Sequence, residues 1–278
     1  MKRTRALKTL SLILLLAACA TTMYAQRSAP PTKAELAEIT ERGRDLAAYD
    51  AAAWQGTDAV VALKPKEGSV ARYIARRTPS GWRVAFGRFS EKQDSFLVAY
   101  EAVQGAGAND YTAKHYESPL VVKDFYFFAA RAVDTALADF KGEQRPYNVA
   151  VLPAKAEQLW VYLVPAQTQA GIFPLGGDVR YLISKDGAKI VERRQLHNSI
   201  IEFSKPPDLK EVATSFHTAV LDDVPEDTDV FHVLARTPRV PELIASKKYM
   251  YQIAVDGTIT FIGMTEDIMG IGKKPLPR

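Results

Sequence analysis

The chain of 278 residues contains a single cysteine, Cys19. No disulfide can therefore form within it, and the stability of the fold has to come from a hydrophobic core. Hydrophobic residues make up 47% of the sequence, which is enough to build one. Even without an N-terminal leader, about 250 residues would remain, a length that easily supports a core.

Residues 1–25 have the features of a signal peptide. A basic start is followed by an apolar run at 10–16, and small residues follow that run. The run is too short to cross a membrane, which takes about 20 apolar residues. The sequence therefore predicts export. The basic residues at the start are Lys2, Arg3, Arg5 and Lys8.

Three cleavage sites compete within this leader. The segment Leu16-Ala17-Ala18-Cys19 resembles the bacterial lipobox, which implies a lipid on the Cys19 sulfur and cleavage before that residue. The alternatives are cleavage after Ala20 or after Ala25 by an ordinary signal peptidase, with Cys19 as one more apolar residue of a discarded leader. The favoured prediction is a lipoprotein on the periplasmic side of the cell envelope, anchored to the membrane by its lipid. Plain secretion is the alternative.

The leader also accounts for the positive charge of the chain. There are 36 Lys and Arg against 32 Asp and Glu, a net charge of +4. Without the four basic residues of the leader, the two counts are equal at 32. The excess is thus part of a targeting signal, and nucleic acid is not expected as a partner.

The first half of the mature chain combines helices with a β-meander. A polar tether at 26–31 precedes a region at 32–142, in which Thr32 and Glu35 match a helix capping box. Helical spacing continues to about residue 56, with a second short piece to 63, and is interrupted at Gly43. Alternating patterns then predict three strands, at 70–77, 82–89 and 95–103. A Ser118-Pro119 pair predicts the start of a central helix that ends near residue 142.

The second half, 143–263, is predicted to be mainly antiparallel β-structure. Strand patterns occur at 148–152, 159–164, 179–184, 188–196 and 249–255. The predicted fold class is α+β, with antiparallel sheets, an N-terminal helix and a central helix, in one large or two small domains. Residues 264–278 are predicted to form a loose tail.

Strong catalytic motifs are missing from the sequence. It lacks a Gly-x-Ser-x-Gly nucleophile elbow, a His-Glu-x-x-His zinc helix and a phosphate-binding loop.

The candidate site lies around the acidic segment 222–229. If two strands flanked this segment, His217 would face His232 on one side of a sheet, and Asp222 and Asp229 would add oxygen donors for a divalent metal. The alternative, which the sequence favours, is a solvated acidic turn between ordinary strands.

Two further clusters have structural and functional interpretations. The glycines at 176 and 177 suit close approach of a ligand to the backbone or, more simply, a turn before a strand. Four polar residues in and directly after the strand at 188–196 suit an anion-binding rim or, as the favoured alternative, an ordinary exposed strand. They are Arg193, Arg194, His197 and Asn198.

The segment 218–231, TAVLDDVPEDTDVF, resembles a stretch of an uncharacterised family of exported proteins of Gram-negative bacteria. In that family a Thr-His pair and a later His often stand where this chain has Thr218-Ala219 and Asp229. The region 214–263 is also faintly similar to JAMM metalloproteases. There His217 matches the first metal ligand, but Ala219, Asp227 and Val230 replace the second histidine, the serine and the aspartate, so the similarity is to a degenerate site.

Two functions follow as predictions. The favoured one is a non-enzymatic exported module that binds an envelope protein or a small ligand and needs no cofactor. The alternative is a degenerate metal-dependent hydrolase or peptidase relative that uses His217, His232 and the acidic loop 222–229.

Overall fold

The computed structural model describes residues 29–204 and 212–270, so Cys19 and the leader lie outside the described residues. Four α-helices and fourteen strands are present in this part of the chain, and most of the strands pair antiparallel. The predicted α+β class with an N-terminal helix is confirmed. Among the described helices, none has the length and hydropathy needed to span a membrane.

The helices are α1 (Lys33–Val61), α2 (Phe125–Asp139), α3 (Asp227–Ala235) and α4 (Thr265–Met269). The strands of the first half are β1 (Arg72–Thr78), β2 (Gly81–Phe89), β3 (Phe96–Gln104) and β4 (Tyr111–Val122). Those of the middle are β5 (Tyr147–Pro153), β6 (Leu159–Pro165), β7 (Ile172–Gly176), β8 (Val179–Ile183), β9 (Ile190–Gln195) and β10 (Ile200–Ser204). The last are β11 (Ser215–Thr218), β12 (Glu242–Ala245), β13 (Tyr249–Ile253) and β14 (Ile259–Met264).

The first sheet is an antiparallel meander in the order β1-β2-β3-β4. Its first three strands lie within two residues of the predicted bounds, although their buried residues occur in runs rather than in strict alternation. The predicted helix start at Ser118-Pro119 is wrong, since both residues belong to β4. This strand lies at the sheet edge, and its pairing skips from His115 to Leu120, so Pro119 interrupts no regular ladder. The central helix α2 begins at Phe125 instead, where the Asp124 side chain accepts a hydrogen bond from the Tyr126 backbone N–H.

The second sheet has the antiparallel order β5-β6-β8-β9, and β7 pairs with β10 beside it. The glycines interpreted as a turn end β7 and lead into Asp178, directly before β8. Gly176 and Gly177 both have positive φ, of 90° and 67°. This turn places the Asp178 side chain in the interior, where the whole residue is buried.

The third sheet has the order β11-β12-β13-β14, with β11 and β12 parallel. The hairpin predicted around 222–227 is wrong, because 227–235 form the helix α3. Carboxylates in the first turn favour a helix start, and Asp229 accepts a hydrogen bond from the Glu226 backbone N–H. Part of the predicted tail is also structured, since Thr265–Met269 form α4, while 271–278 lie outside the described residues.

The long helix α1 contacts both of the two clusters of buried apolar side chains. Its second half joins α2 and the first two sheets in the larger cluster, whereas Leu36 joins α3 and the third sheet in the smaller one. The separate short piece predicted after residue 56 does not form, because α1 runs unbroken to Val61. Gly43 lies where α3 crosses, because a Cβ there would be 2.4 Å from Val230 Cβ and 2.6 Å from the Asp227 carbonyl oxygen. Glycine therefore permits the close approach of α1 to α3.

Candidate metal centre

The buried helix α3 positions the central carboxylate of the site. Asp229 Oδ2 accepts the Glu226 backbone N–H at 2.7 Å, which fixes the carboxylate at the helix start. Its other oxygen, Oδ1, faces the interior without a hydrogen-bond partner among the described residues. The Asp229 side chain is 0% exposed. His232, three residues later, is on the neighbouring helix surface.

Two histidines approach this oxygen from other elements. His197 lies between β9 and β10, and its Nε2 is 3.1 Å from Asp229 Oδ1. His217 lies in β11, and its Nε2 is 3.2 Å from the same oxygen. Neither contact has the alignment of a hydrogen bond, so both nitrogens lack a hydrogen-bond partner among the described residues. The three atoms lie within 4.8 Å of one another.

The other ring nitrogen of each histidine is held by a carboxylate. His197 Nδ1 is 2.8 Å from Asp178 Oδ1, and His217 Nδ1 is 2.8 Å from Glu242 Oε1. A carboxylate on Nδ1 favours the tautomer that carries its proton there and directs the Nε2 lone pair at the centre. Such pairs are the usual support of metal-binding histidines.

Glu242 is in turn fixed by neighbours on its own sheet and by the segment after α3. Its Oε2 accepts hydrogen bonds from Arg236 at 2.6 Å and from the Ser215 hydroxyl at 2.8 Å. Arg236 and Ser215 therefore hold the carboxylate that orients His217. We call Asp178, His197, His217, Asp229, His232 and Glu242 the histidine cluster.

The separation of the three central atoms suits a metal ion. Zinc bonds to histidine nitrogen and carboxylate oxygen are about 2.0–2.2 Å long, so two ligands of a tetrahedral ion lie roughly 3.4 Å apart. The two N–O distances, 3.1 and 3.2 Å, are close to that separation. Two imidazole nitrogens and one carboxylate oxygen are also a donor set that zinc and related ions accept.

Without a metal, the cluster must hold protons instead. Burial opposes charge on His197, but Asp178 and Asp229 raise its pKa well above the ordinary value. Burial likewise opposes charge on His217, yet Asp229 and Glu242 raise its pKa to about 9. Among the described residues, the three carboxylates of the cluster (Asp178, Asp229 and Glu242) have one guanidinium as ion-pair partner, that of Arg236, so neutrality requires two more positive charges. Two protons or one divalent cation would supply them.

His232 stands beside the three central atoms rather than among them. Its Nε2 is 4.0 Å from Asp178 Oδ2, and both atoms are buried without a hydrogen-bond partner among the described residues. Burial lowers the pKa of His232 to about 4, although Asp178 acts in the opposite direction. The imidazole is thus neutral near pH 7.

A second buried network lies on the other side of α3. Asp227 Oδ1 accepts a hydrogen bond from Arg42 Nε at 3.0 Å, and its Oδ2 accepts one from the Tyr162 hydroxyl at 2.7 Å and one from Arg180. Burial would raise the pKa of Asp227, but Arg180 and Arg42 lower it below the ordinary value. We call Arg42, Tyr162, Arg180 and Asp227 the arginine cluster.

The structure brings together only some of the residues predicted as metal ligands. His217 and Asp229 converge, and His232 lies close by. Asp222 is elsewhere, in an ion pair with Arg194 at 2.8 Å. The sequence placed His197 in either an anion-binding rim or, as the favoured alternative, an ordinary exposed strand. In the structure Arg193 pairs with Asp139, and Arg194 pairs with Asp222 and Glu226. No local spacing marked His197 as a ligand.

A cleft of about 760 Å³ lies next to the cluster, between α1, β7 and the end of α3. His232 is the member of the histidine cluster that lines it. Its wall also includes Phe173 and Trp54, whose side chain is exposed. The volume is in the range of ligand-binding pockets.

No protein-family model, curated protein or solved structure matches the chain.

Proposed function

We propose that the protein binds one divalent transition-metal ion through His197 Nε2, His217 Nε2 and Asp229 Oδ1. The observation that carries the proposal is the convergence of these three buried atoms, which lack hydrogen-bond partners among the described residues. Buried polar atoms without partners are rare in proteins, because each one costs about 1–3 kcal/mol. A cation between them would remove that cost.

Zinc is the ion that suits the donors best. It accepts imidazole and carboxylate ligands in a tetrahedral arrangement without requiring a fourth protein donor. The carboxylates on both Nδ1 atoms would increase the basicity of the imidazoles and so strengthen the metal bonds. The same donors also accommodate iron(II), cobalt(II) and nickel(II), so the ion found in the protein has to be measured.

Metal binding would join three separate parts of the chain. His197 follows β9 of the second sheet, His217 belongs to β11 of the third sheet, and Asp229 belongs to α3. An ion bound to all three would fix the third sheet against the body of the protein. This supports the metal-dependent interpretation of His217 and Asp229 rather than a solvated acidic turn.

Metal analysis of the purified full-length chain tests the proposal. After incubation with zinc and removal of free ions, mass spectrometry should find one metal per chain. His217→Ala and Asp229→Ala should each weaken the affinity by more than about 100-fold, because each removes a ligand.

The remaining histidine provides the matched control. His115 is exposed in β4 and stacks on Tyr100, far in sequence from the cluster, so His115→Ala should keep the metal. A wild-type chain that holds no zinc, iron, cobalt or nickel in stoichiometric amount would refute the proposal. Equal metal content in the wild type and in Asp229→Ala would refute it as well.

We also propose that the chain is exported and anchored to the membrane by a lipid on Cys19. The basic start, the apolar run and the Leu16-Ala17-Ala18-Cys19 segment support this. Cys19→Ala should move the protein from the membrane fraction to the soluble fraction of the cells that produce it. An unchanged distribution would contradict the lipid anchor.

A further inference from the structure

The three converging ligands leave one position of a tetrahedral ion without a protein donor. The next candidate, His232, is outside the group of atoms that lie within 4.8 Å of one another. Structural zinc sites are closed by four protein ligands, whereas sites that bind a substrate or water have three and keep one position open. The donor count of the histidine cluster matches the second type.

The position of His232 indicates where the open side lies. Its Nε2 is 4.0 Å from Asp178 Oδ2, and Asp178 is hydrogen-bonded to the ligand His197. The same residue lines the cleft. His232 therefore lies at the boundary between the cluster and the cleft, and a ligand that reaches the ion from the cleft would pass its ring.

The cleft is lined by apolar side chains and by charged ones, three arginines (Arg44, Arg236 and Arg239) and two aspartates (Asp50 and Asp256). The apolar side chains include Phe173, Pro174 and Trp54, and the Trp54 side chain is 63% exposed. Among the arginines, Arg239 donates from Nε to the Leu234 carbonyl at 2.9 Å. Its terminal nitrogens have no hydrogen-bond partner within 29–204 and 212–270 and remain able to bind an anion.

We propose that the open position of the ion takes an oxyanion group, such as a carboxylate, of a small organic ligand that enters through the cleft. The apolar or aromatic part of this ligand would pack on Trp54, where an exposed indole loses water on contact. Arg239 would favour the entry of anions over neutral molecules. This inference rests on the metal site proposed above.

Cobalt(II) tests the open position, because its visible absorption reports the number and kind of its ligands. The full-length chain is loaded with one cobalt ion and titrated with benzohydroxamate, an aromatic oxyanion that binds metals. The visible spectrum should change with saturation below about 1 mM, the weak end of specific affinities. N-methylbenzamide, which has the ring but no oxyanion, should leave the spectrum unchanged.

The cleft is tested by substitution of its aromatic wall. Trp54→Ala should weaken benzohydroxamate binding about fivefold to tenfold, the effect of a lost aromatic contact, and should leave acetohydroxamate binding unchanged. Val61→Ala is the matched control, since Val61 is 58% exposed on the same helix but does not line the cleft. Equal binding of benzohydroxamate to Trp54→Ala and to the wild type would refute the role of the cleft.

His232 decides between an open and a closed site. His232→Ala and the more conservative His232→Gln should both keep one cobalt per chain and still bind benzohydroxamate. Loss of cobalt from both variants, with the fold intact by circular dichroism, would make His232 a fourth ligand and refute the open position. A wild-type spectrum that does not respond to either hydroxamate would also refute the open position, but it would not contradict the metal site. Failure of the wild type to bind any cobalt would refute both proposals.

Discussion

Asp227 and Asp229 are two residues apart on α3 and equally buried, yet their surroundings differ. Both oxygens of Asp227 accept hydrogen bonds from the arginine cluster. Asp229 has one oxygen fixed by the helix start, while the other faces two imidazole nitrogens without a hydrogen bond. The first carboxylate is hydrogen-bonded at both oxygens by the protein, whereas the charge of the second is balanced either by protons on the two imidazoles or, as proposed, by a bound cation. The first turn of one short helix thus combines a structural ion network with a candidate binding site.

This difference shows why burial of charge does not by itself indicate function. Burial raises the pKa of both carboxylates, and cationic neighbours lower it in both cases, so their direction of shift is the same. The distinguishing feature is hydrogen bonding. Guanidinium groups donate along fixed directions and complete the pairing of Asp227, whereas Asp229 Oδ1 lies 3.1 and 3.2 Å from two imidazole nitrogens that are not aligned with it as hydrogen-bond donors.

The largest expected effect is the loss of the satisfied carboxylate. Asp227→Asn should lower the free energy of unfolding by about 3–5 kcal/mol, with or without metal, because it leaves Arg180 buried without its anion. Urea unfolding in EDTA measures this. Asp222→Asn is the control, since its pair with Arg194 is partly exposed and should contribute less than about 1 kcal/mol. An equally small effect at Asp227 would remove the contrast between the two carboxylates.

Removal of the metal should have the next largest effect. At free zinc 100-fold above the dissociation constant, binding should stabilise the wild type by about 2.7 kcal/mol relative to the EDTA-treated protein. Thermal unfolding should then shift by roughly 5–10 °C in a chain of this size. Asp229→Ala should show no zinc-dependent shift, and Asp227→Asn should keep it. A zinc-dependent shift in Asp229→Ala would assign the effect to another site.

A change of intermediate size should follow if α1 is pushed away from α3. Gly43→Ala places a Cβ 2.4 Å from Val230 Cβ, so we expect a loss of about 2 kcal/mol from the strain of overpacking. At an exposed helix position the same substitution would stabilise the protein by about 1 kcal/mol. A loss of stability would therefore show that the close contact with α3 outweighs helix propensity. Urea unfolding measures it. Increased stability would show that the two helices do not approach so closely.

The smallest expected effect is at a third carboxylate, that of Asp50. Among the described residues it forms no ion pair with an arginine, and it lies outside the histidine cluster. Burial raises its pKa to about 6, although the Asn148 side chain donates to it at 3.3 Å and lowers it. The folded state therefore holds the proton more tightly than the unfolded state, whose value is about 3.9, and stability falls as pH rises from 4 to 6.

Asp50→Asn should remove this pH-dependent loss. The substitution should stabilise the protein by about 1 kcal/mol at pH 8 and should have no effect near pH 3.5. The expected gain is smaller than the full pKa shift would give, because Asp50 is only partly buried. Urea unfolding at the two pH values measures the difference. Glu91→Gln, at an exposed position, is the control and should show no such dependence. A gain that is equal at both pH values would argue against a raised pKa.

Much of the fold could be predicted because its elements have local signals. The strands β1 to β3 are rich in apolar and aromatic residues and are separated by turn residues, and the capping box at Thr32 and Glu35 marks the start of α1. Helix α3 has a local signal only at its acidic first turn and none in its interior. Seven of its nine residues are buried, so it has no polar face and no helical periodicity to detect. Gly43 interrupted the pattern of α1 for a reason that only its contact with α3 explains.

The candidate site was less predictable than the fold. His217, His232 and Asp229 were proposed as ligands from their closeness in sequence, through a hairpin that does not form. His197 was not proposed as a metal ligand, because it lies 20 residues before His217 and its orienting partner Asp178 precedes it by 19 residues. Ligand sets of this kind depend on how sheets and helices pack, and this packing cannot be predicted from local sequence patterns.

The sequence by itself determined that the chain has no internal disulfide, that its positive charge comes from the first residues, and that helices and alternating strands combine in an α+β fold. Each of these depends on composition or on neighbours a few residues apart. The tertiary structure alone decided which buried carboxylate is paired with arginine and which faces two histidines. That choice depends on contacts between segments distant in the chain, since Asp227 and Asp229 are nearly identical as sequence and differ only in what packs against them.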